Sequence, residues 1–100
     1  MFKIDIQNAN GCVAKLSGRL DTPSAIQAQK DMESLAQYAN QEIVLDCSEL
    51  EYISSSGLRL FLGLRKETVV KGGKVIIEHI SDDIKNVFTM TGFFNLFEIR

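Results

Sequence analysis

The sequence predicts an α/β domain: a mixed sheet of about four to five strands, opened by an antiparallel hairpin, with parallel central strands and helices packed on it. Three observations predict this. Phe2, Ile4 and Ile6 alternate with Lys3, Asp5 and Gln7, the period of two that marks a strand with one buried face. Segments with helical spacing and capping residues then alternate with short apolar runs, the pattern of parallel strands joined by crossover helices. The chain has 100 residues, enough to bury about two-thirds of its unfolded surface in one core and too few for two, so residues 1–100 read as a single domain.

Asn10-Gly11 supplies the hairpin turn, since both tolerate the positive φ of a type I′ turn, and the run Cys12 to Ser17 returns antiparallel to the first strand. Thr22-Pro23 starts the first helix, with Thr22 as cap and Pro23 at the first helical position. Ala25, Ala28, Met32, Leu35, Ala36 and Ala39 form its apolar stripe, and it ends near Tyr38 to Asn40. Ile43-Val44-Leu45 is a short apolar run that suits a strand buried on both faces. The second helix spans Ser54 to Val70, with Gly72-Gly73 as its stop. Leu58, Phe61, Leu62, Arg65 and Val69 line its predicted core face, leaving Leu60 and Leu64 off that face. Lys74 to His79 resumes a strand. Ser81-Asp82-Asp83 opens a third helix with core residues Ile84, Val87, Phe88 and Thr91, Gly92 ends it, and Leu96 to Ile99 adds a last short strand.

Composition narrows the functional classes. Eleven basic against thirteen acidic residues give a formal charge of −2, and no Lys/Arg cluster provides the footprint of nucleic-acid binding. No apolar run approaches the ~20 residues that span a bilayer, and the N-terminus lacks a signal-peptide core, so a cytoplasmic protein without a membrane partner is expected. Cys12 and Cys47 lack metal-ligand spacing and read as buried thiols, and the lone His79 reads as structural, so neither a metal nor a cofactor is expected.

The segment Tyr52-Ile53-Ser54-Ser55-Ser56-Gly57-Leu58 is not explained by packing alone. A serine at a helix start either caps it or presents a hydroxyl beside unpaired N–H groups that favour an anion. One serine suffices for the cap, and here there are three. Phosphorylation would add about −1.5 to −2 charge near the positive end of the helix dipole. Gly57 removes a side chain where a partner or phosphate could approach. A nucleophile elbow requires Gly-x-Ser-x-Gly, whereas Ile53 stands two before Ser55, and the single histidine has no evident carboxylate relay. Gly72-Gly73-Lys74 precedes a strand, which argues against a phosphate loop.

Four blocks in order, Gly18-Arg19-Leu20-Asp21, Val44-Leu45-Asp46-Cys47-Ser48, Ile53-Ser54-Ser55-Ser56-Gly57-Leu58 and Phe88-Thr89-Met90-Thr91-Gly92-Phe93-Phe94, resemble the STAS domain of bacterial anti-sigma factor antagonists over nearly the whole chain. The resemblance implies a STAS-like fold and a regulatory binding protein that is not an enzyme. It implies that the unphosphorylated protein binds an anti-sigma factor that is also a serine kinase, that phosphorylation breaks the complex, and that a serine phosphatase restores it. Ser55 falls on the phosphoacceptor, with Ser54 and Ser56 as the neighbouring hydroxyls, Gly57 on the family glycine and Asp21 on the turn acid. Ser54 departs from the family pattern, since many members carry Asp there. Partner binding is expected around Asp21, Thr22, Ser54, Ser55, Ser56, Gly57, Arg59, Leu60 and Leu64. Leu60 and Leu64 either pack in a second layer against the Ser81 to Thr91 helix or form an exposed apolar strip for the partner. Two other readings are a constitutive interaction or ligand-binding module that is not phosphorylated, and a small hydrolase using Ser55 or Ser56.

Overall fold

The computed structural model describes residues 2–8 and 11–100. Strands β1 (Phe2–Asn8) and β2 (Cys12–Leu20) pair antiparallel, with Ile4 opposite Leu16 and Asp5 opposite Lys15. The expected hairpin is therefore present; Asn10, the first residue of its predicted turn, lies outside the described residues. Helix α1 (Thr22–Ala36), strand β3 (Glu42–Ile53), helix α2 (Ser55–Lys71), strand β4 (Lys74–Glu78), helix α3 (Asp82–Met90) and strand β5 (Glu98–Ile99) follow. A single 3₁₀ turn, Phe94–Leu96, leads into β5. The sheet runs β1-β2-β3-β4-β5, and every pair after the first is parallel.

Strand β3 is much longer than the predicted Ile43–Leu45, and its pairing with β2 explains why. Lys15 pairs with Asp46 but Ser17 with Glu49, and Gly18 pairs with Leu50 but Arg19 with Tyr52. Each shift inserts one extra residue on β3 and resets which face it presents. The inward residues Ile43, Leu45 and Cys47 keep a spacing of two, and Leu50 and Ile53 follow at spacings of three. A strand interrupted in this way has no alternating signature beyond Cys47. Val44 is only half-buried, so β3 is not covered equally on both faces as its apolar run suggested.

The cap of α1 is Asp21, one residue before the expected Thr22, and Pro23 sits within the first turn. The helix ends at Ala36, and a turn carries the chain through Ala39, which is fully buried. In α2 the buried stripe is Gly57, Leu58, Phe61, Leu64 and Thr68, whereas Val69 is 64% exposed. The core face therefore lies roughly a quarter turn from the predicted one. Two causes combine. Helix α1 packs along the Leu64 side of α2, and Thr68 is tolerated inside because its hydroxyl donates to Arg65 O at 2.7 Å. Leu60 and Leu64 thus turn toward α1, and the expected second layer against α3 does not form. Phe61 of α2, Phe88 of α3 and Phe97 stack in a chain of aromatic contacts, with ring centroids 6.1 and 5.8 Å apart. At the far end of α2, Gly72 adopts a left-handed φ of 88°, and the N–H groups of Gly72 and Gly73 both donate to Thr68 O. Among the described residues no helix is long and apolar enough to cross a membrane.

Candidate functional site

Parallel pairing of β2 and β3 delivers the starts of α1 and α2 to the same end of the sheet. The N–H of Ser54 donates to Leu20 O at 2.9 Å, tying the two strand ends together immediately before both helices begin. Asp21 and Ser54 are the two caps: Ser24 N–H donates to Asp21 Oδ1 at 3.0 Å, and Gly57 N–H donates to Ser54 Oγ at 3.2 Å. The remaining amides of the two first turns point toward this end, and neither first turn contains an acidic side chain. Helix α3, with Asp82 and Asp83 in its first turn, has its positive end compensated.

The three serines separate by position. Ser54 is 8% exposed and its oxygen serves the cap. Ser55, the first helical residue, is exposed. Ser56 is half-buried and lines a shallow cleft with Thr22, Ala25, Ile26, Arg59 and Leu60. Of the three, Ser55 is the hydroxyl that both faces solvent and stands at unpaired helix amides, a setting suited to holding an anion.

Asp21 stands close to this end, but its carboxylate is already engaged. The N–H bond from Ser24 holds it below the usual carboxylate range, and the Ser24 hydroxyl and the charge of Arg19 act in the same direction. The Arg19 guanidinium lies 4.5 Å from the centre of the Tyr52 ring, so a cation–π pair flanks the site on the paired ends of β2 and β3. Sequence reading missed this pair, which depends on the second register shift.

Two expected partner residues are placed elsewhere. Gly57 is buried, and a Cβ there would come within 2.8 Å of Leu20 Cγ and 2.9 Å of Ile53 Cγ1. The glycine allows α2 to start tight against the ends of β2 and β3, so its missing side chain is used internally and not by an approaching partner. Leu64 is only 3% exposed and belongs to the core. Thr22 and Arg59 are exposed and Leu60 is half-buried, so these remain at the surface around Ser55 and Ser56. A groove of about 230 Å³ continues from there between α1 and α2, floored by Met32, Ala36, Leu60 and Gly63. Ile26, 72% exposed in the cleft beside Ser56, was also overlooked; an apolar residue outside the stripe of α1 was the available signal.

His79, expected within the strand, lies just beyond β4 with a left-handed φ of 59°, and its Nε2 lies 3.8 Å from Glu78 Oε1, in the bend that leads toward α3. Cys47 is buried, which pushes its thiol up to about 12, the Asp46 charge adding to the effect, and burial also raises Cys12.

Comparison with known proteins agrees with this arrangement. The family model described as STAS domain matches residues 3–100. The anti-sigma-B factor antagonist of Bacillus subtilis (strain 168) is 30% identical over 100 residues, covering 98% of this chain and 90% of that protein. Two solved structures of the anti-sigma factor antagonist SpoIIAA share the fold. The unphosphorylated form has a TM-score of 0.73 at 23% identity, over 100% of this chain and 87% of that one. The phosphorylated form, from Bacillus, has a TM-score of 0.71 at 22% identity, over 100% and 91%. A five-stranded mixed sheet with its helices, a family match along almost the whole length and a relative at this identity lead to one conclusion: the chain belongs to the STAS domain family, whose members here are regulatory binding proteins and not enzymes.

Proposed function

We propose that this protein is an anti-sigma factor antagonist that binds an anti-sigma factor with serine kinase activity in the cytoplasm and is released when Ser55 is phosphorylated. The relatives named as antagonists support the first half. The observation that carries the second is the division of labour among the serines: Ser54 caps α2 from a buried position, while Ser55 is exposed at its first turn. That one of the SpoIIAA structures is phosphorylated is in keeping with such a switch.

The physical consequence of a phosphate at Ser55 follows from its surroundings. It would meet unpaired amides and the uncompensated positive end of α2, so the modification is compatible with the helix and requires no rearrangement of the fold. Its effect falls on the partner. A neutral hydroxyl surface can be desolvated in an interface at little cost, whereas desolvating a dianion there with no partner cation opposite it costs several kcal/mol, roughly a hundredfold or more in affinity. Ser54 in place of the family acid leaves the acceptor without an adjacent carboxylate, so the charge contrast between the two states arises almost wholly from the phosphate. Removal of that phosphate by a serine phosphatase would return the binding surface.

The experiment is to incubate the protein with the candidate anti-sigma factors of its source organism and ATP, then to locate phosphate by peptide mass spectrometry. Modification of Ser55 that disappears in Ser55→Ala is the expected result. Stable binding with no phosphate on any serine would replace the switch with a constitutive interaction module, and phosphate on Ser56 would displace the acceptor by one position.

A further inference from the structure

The two edges of the sheet are built differently. Strand β5 is only two residues long, and charges close over it: Lys74 Nζ lies 2.9 Å from Glu98 Oε1, and Arg100 Nη2 lies 2.6 Å from Glu98 Oε2. Short length and charge are the usual protection of an edge. Strand β1 is not short, and its exposed charges, Lys3 and Asp5, are of opposite sign and so do not by themselves repel an antiparallel second copy. The strand is seven residues long, β2 is its neighbour on one side, and among the described residues no strand pairs its other side. Phe2, Ile4 and Ile6 on its inner face are packed against the core yet only half-buried, so apolar surface is left open along a row of backbone donors and acceptors.

We propose that two copies of the chain pair through β1, antiparallel about a two-fold axis at Ile4, joining their five-stranded sheets into one continuous sheet. The occupant and the register follow from the strand's own sequence. Antiparallel partners directly opposite share a face, so only registers that keep Phe2, Ile4 and Ile6 on one side are compatible with both cores. Centring the axis on Asp5 opposes two carboxylates, and centring it on Lys3 opposes two ammonium groups. Centring it on Ile4 sets Ile4 against Ile4 of the second copy, each Phe2 against Ile6, and each Lys3 against Asp5. All three inner residues then gain apolar cover, and both outer charges gain opposite partners. An isologous contact of this kind closes on itself and leaves no open edge for fibre growth. Strand β2 separates β1 from β3, so the association leaves the Ser55 end of each copy accessible and is independent of the proposed switch.

One strand pair is a small interface, so association is expected to rise over about 1 µM to 1 mM instead of being complete at low concentration. Sedimentation equilibrium of the intact chain tests the proposal, with circular dichroism verifying that each variant is folded. The unmodified chain is expected to form dimers. Lys3→Asp and Asp5→Lys each turn both ionic contacts into repulsions and are expected to weaken the dimer at least about fivefold, while the Lys3→Asp/Asp5→Lys double variant returns to within about twofold of the parent. A chain that stays monomeric up to about 1 mM overturns the proposal. So does a dimer indifferent to either single reversal, since its contact would lie on another surface.

Discussion

Ser54 and Ser55 are chemically identical neighbours whose roles are set by a one-residue difference in backbone. Ser54 keeps extended angles, φ −88° and ψ 170°, at the close of β3, which turns its oxygen back onto Gly57 N–H. Ser55 is the first helical residue and points its hydroxyl outward. Ser54→Ala is therefore expected to lower stability by about 1 kcal/mol in urea unfolding, and Ser55→Ala to change it by less than about 0.5 kcal/mol. Gly57→Ala must push a methyl into Leu20 and Ile53 and is expected to cost about 1–3 kcal/mol. The run of three serines at a helix start was legible in the sequence; its division into a buried cap, Ser54, and an exposed hydroxyl, Ser55, comes from the structure. The true place of Gly57 was not legible, because the atoms that forbid a side chain belong to Leu20, far back in the chain, and to Ile53 across the turn. Buried thiols were legible from composition; Cys12 and Cys47 should react with a thiol reagent at neutral pH only as the protein unfolds.

At the level of elements, capping residues and helical limits were read well where the signals are local. Ser81 caps α3 as expected, its oxygen accepting from Ile84 N–H, and Gly72 stops α2. Misassignments occurred where tertiary packing decides. The face that α2 buries depends on α1 lying beside it and on Thr68 satisfying its own hydroxyl, neither of which is written in an apolar stripe. The second half of β3 was hidden by the two extra residues that break its alternation. The cap of α1 has a pH consequence. Asp21 titrates below its ordinary range in the folded state, so its stabilisation is complete above that range and is lost as pH falls through the lowered folded value. Glu98, held down by Lys74 and then by Arg100, acts with the same sign. Thermal stability should accordingly decline on acidification below about pH 4. Asp21→Asn, which can still cap but does not ionise, should make that decline shallower when melting is followed across pH.

At the scale of the whole molecule, the proposed switch rests on where the fold places Ser55. Parallel β2 and β3 bring two helix starts to one end of the sheet, and the caps there are one engaged carboxylate and one buried hydroxyl. On the proposed switch, this end is expected to accept either a neutral or an anionic Ser55 without altering the core. The fold class, and with it the order of elements, was legible because strand and helix patterns alternate along the chain. The electrostatic character of the site was legible only in part, since it depends on Asp21 being committed to Ser24. The central claim is that phosphate on Ser55 abolishes partner binding while leaving the fold intact. The most direct test is calorimetric titration of the partner anti-sigma factor with unmodified protein and with protein carrying phosphoserine at 55, each checked by its circular dichroism spectrum. The account predicts identical spectra and a loss of affinity of about a hundredfold or more. Equal affinities for the two forms, or a phosphorylated chain that has lost its folded spectrum, would contradict it.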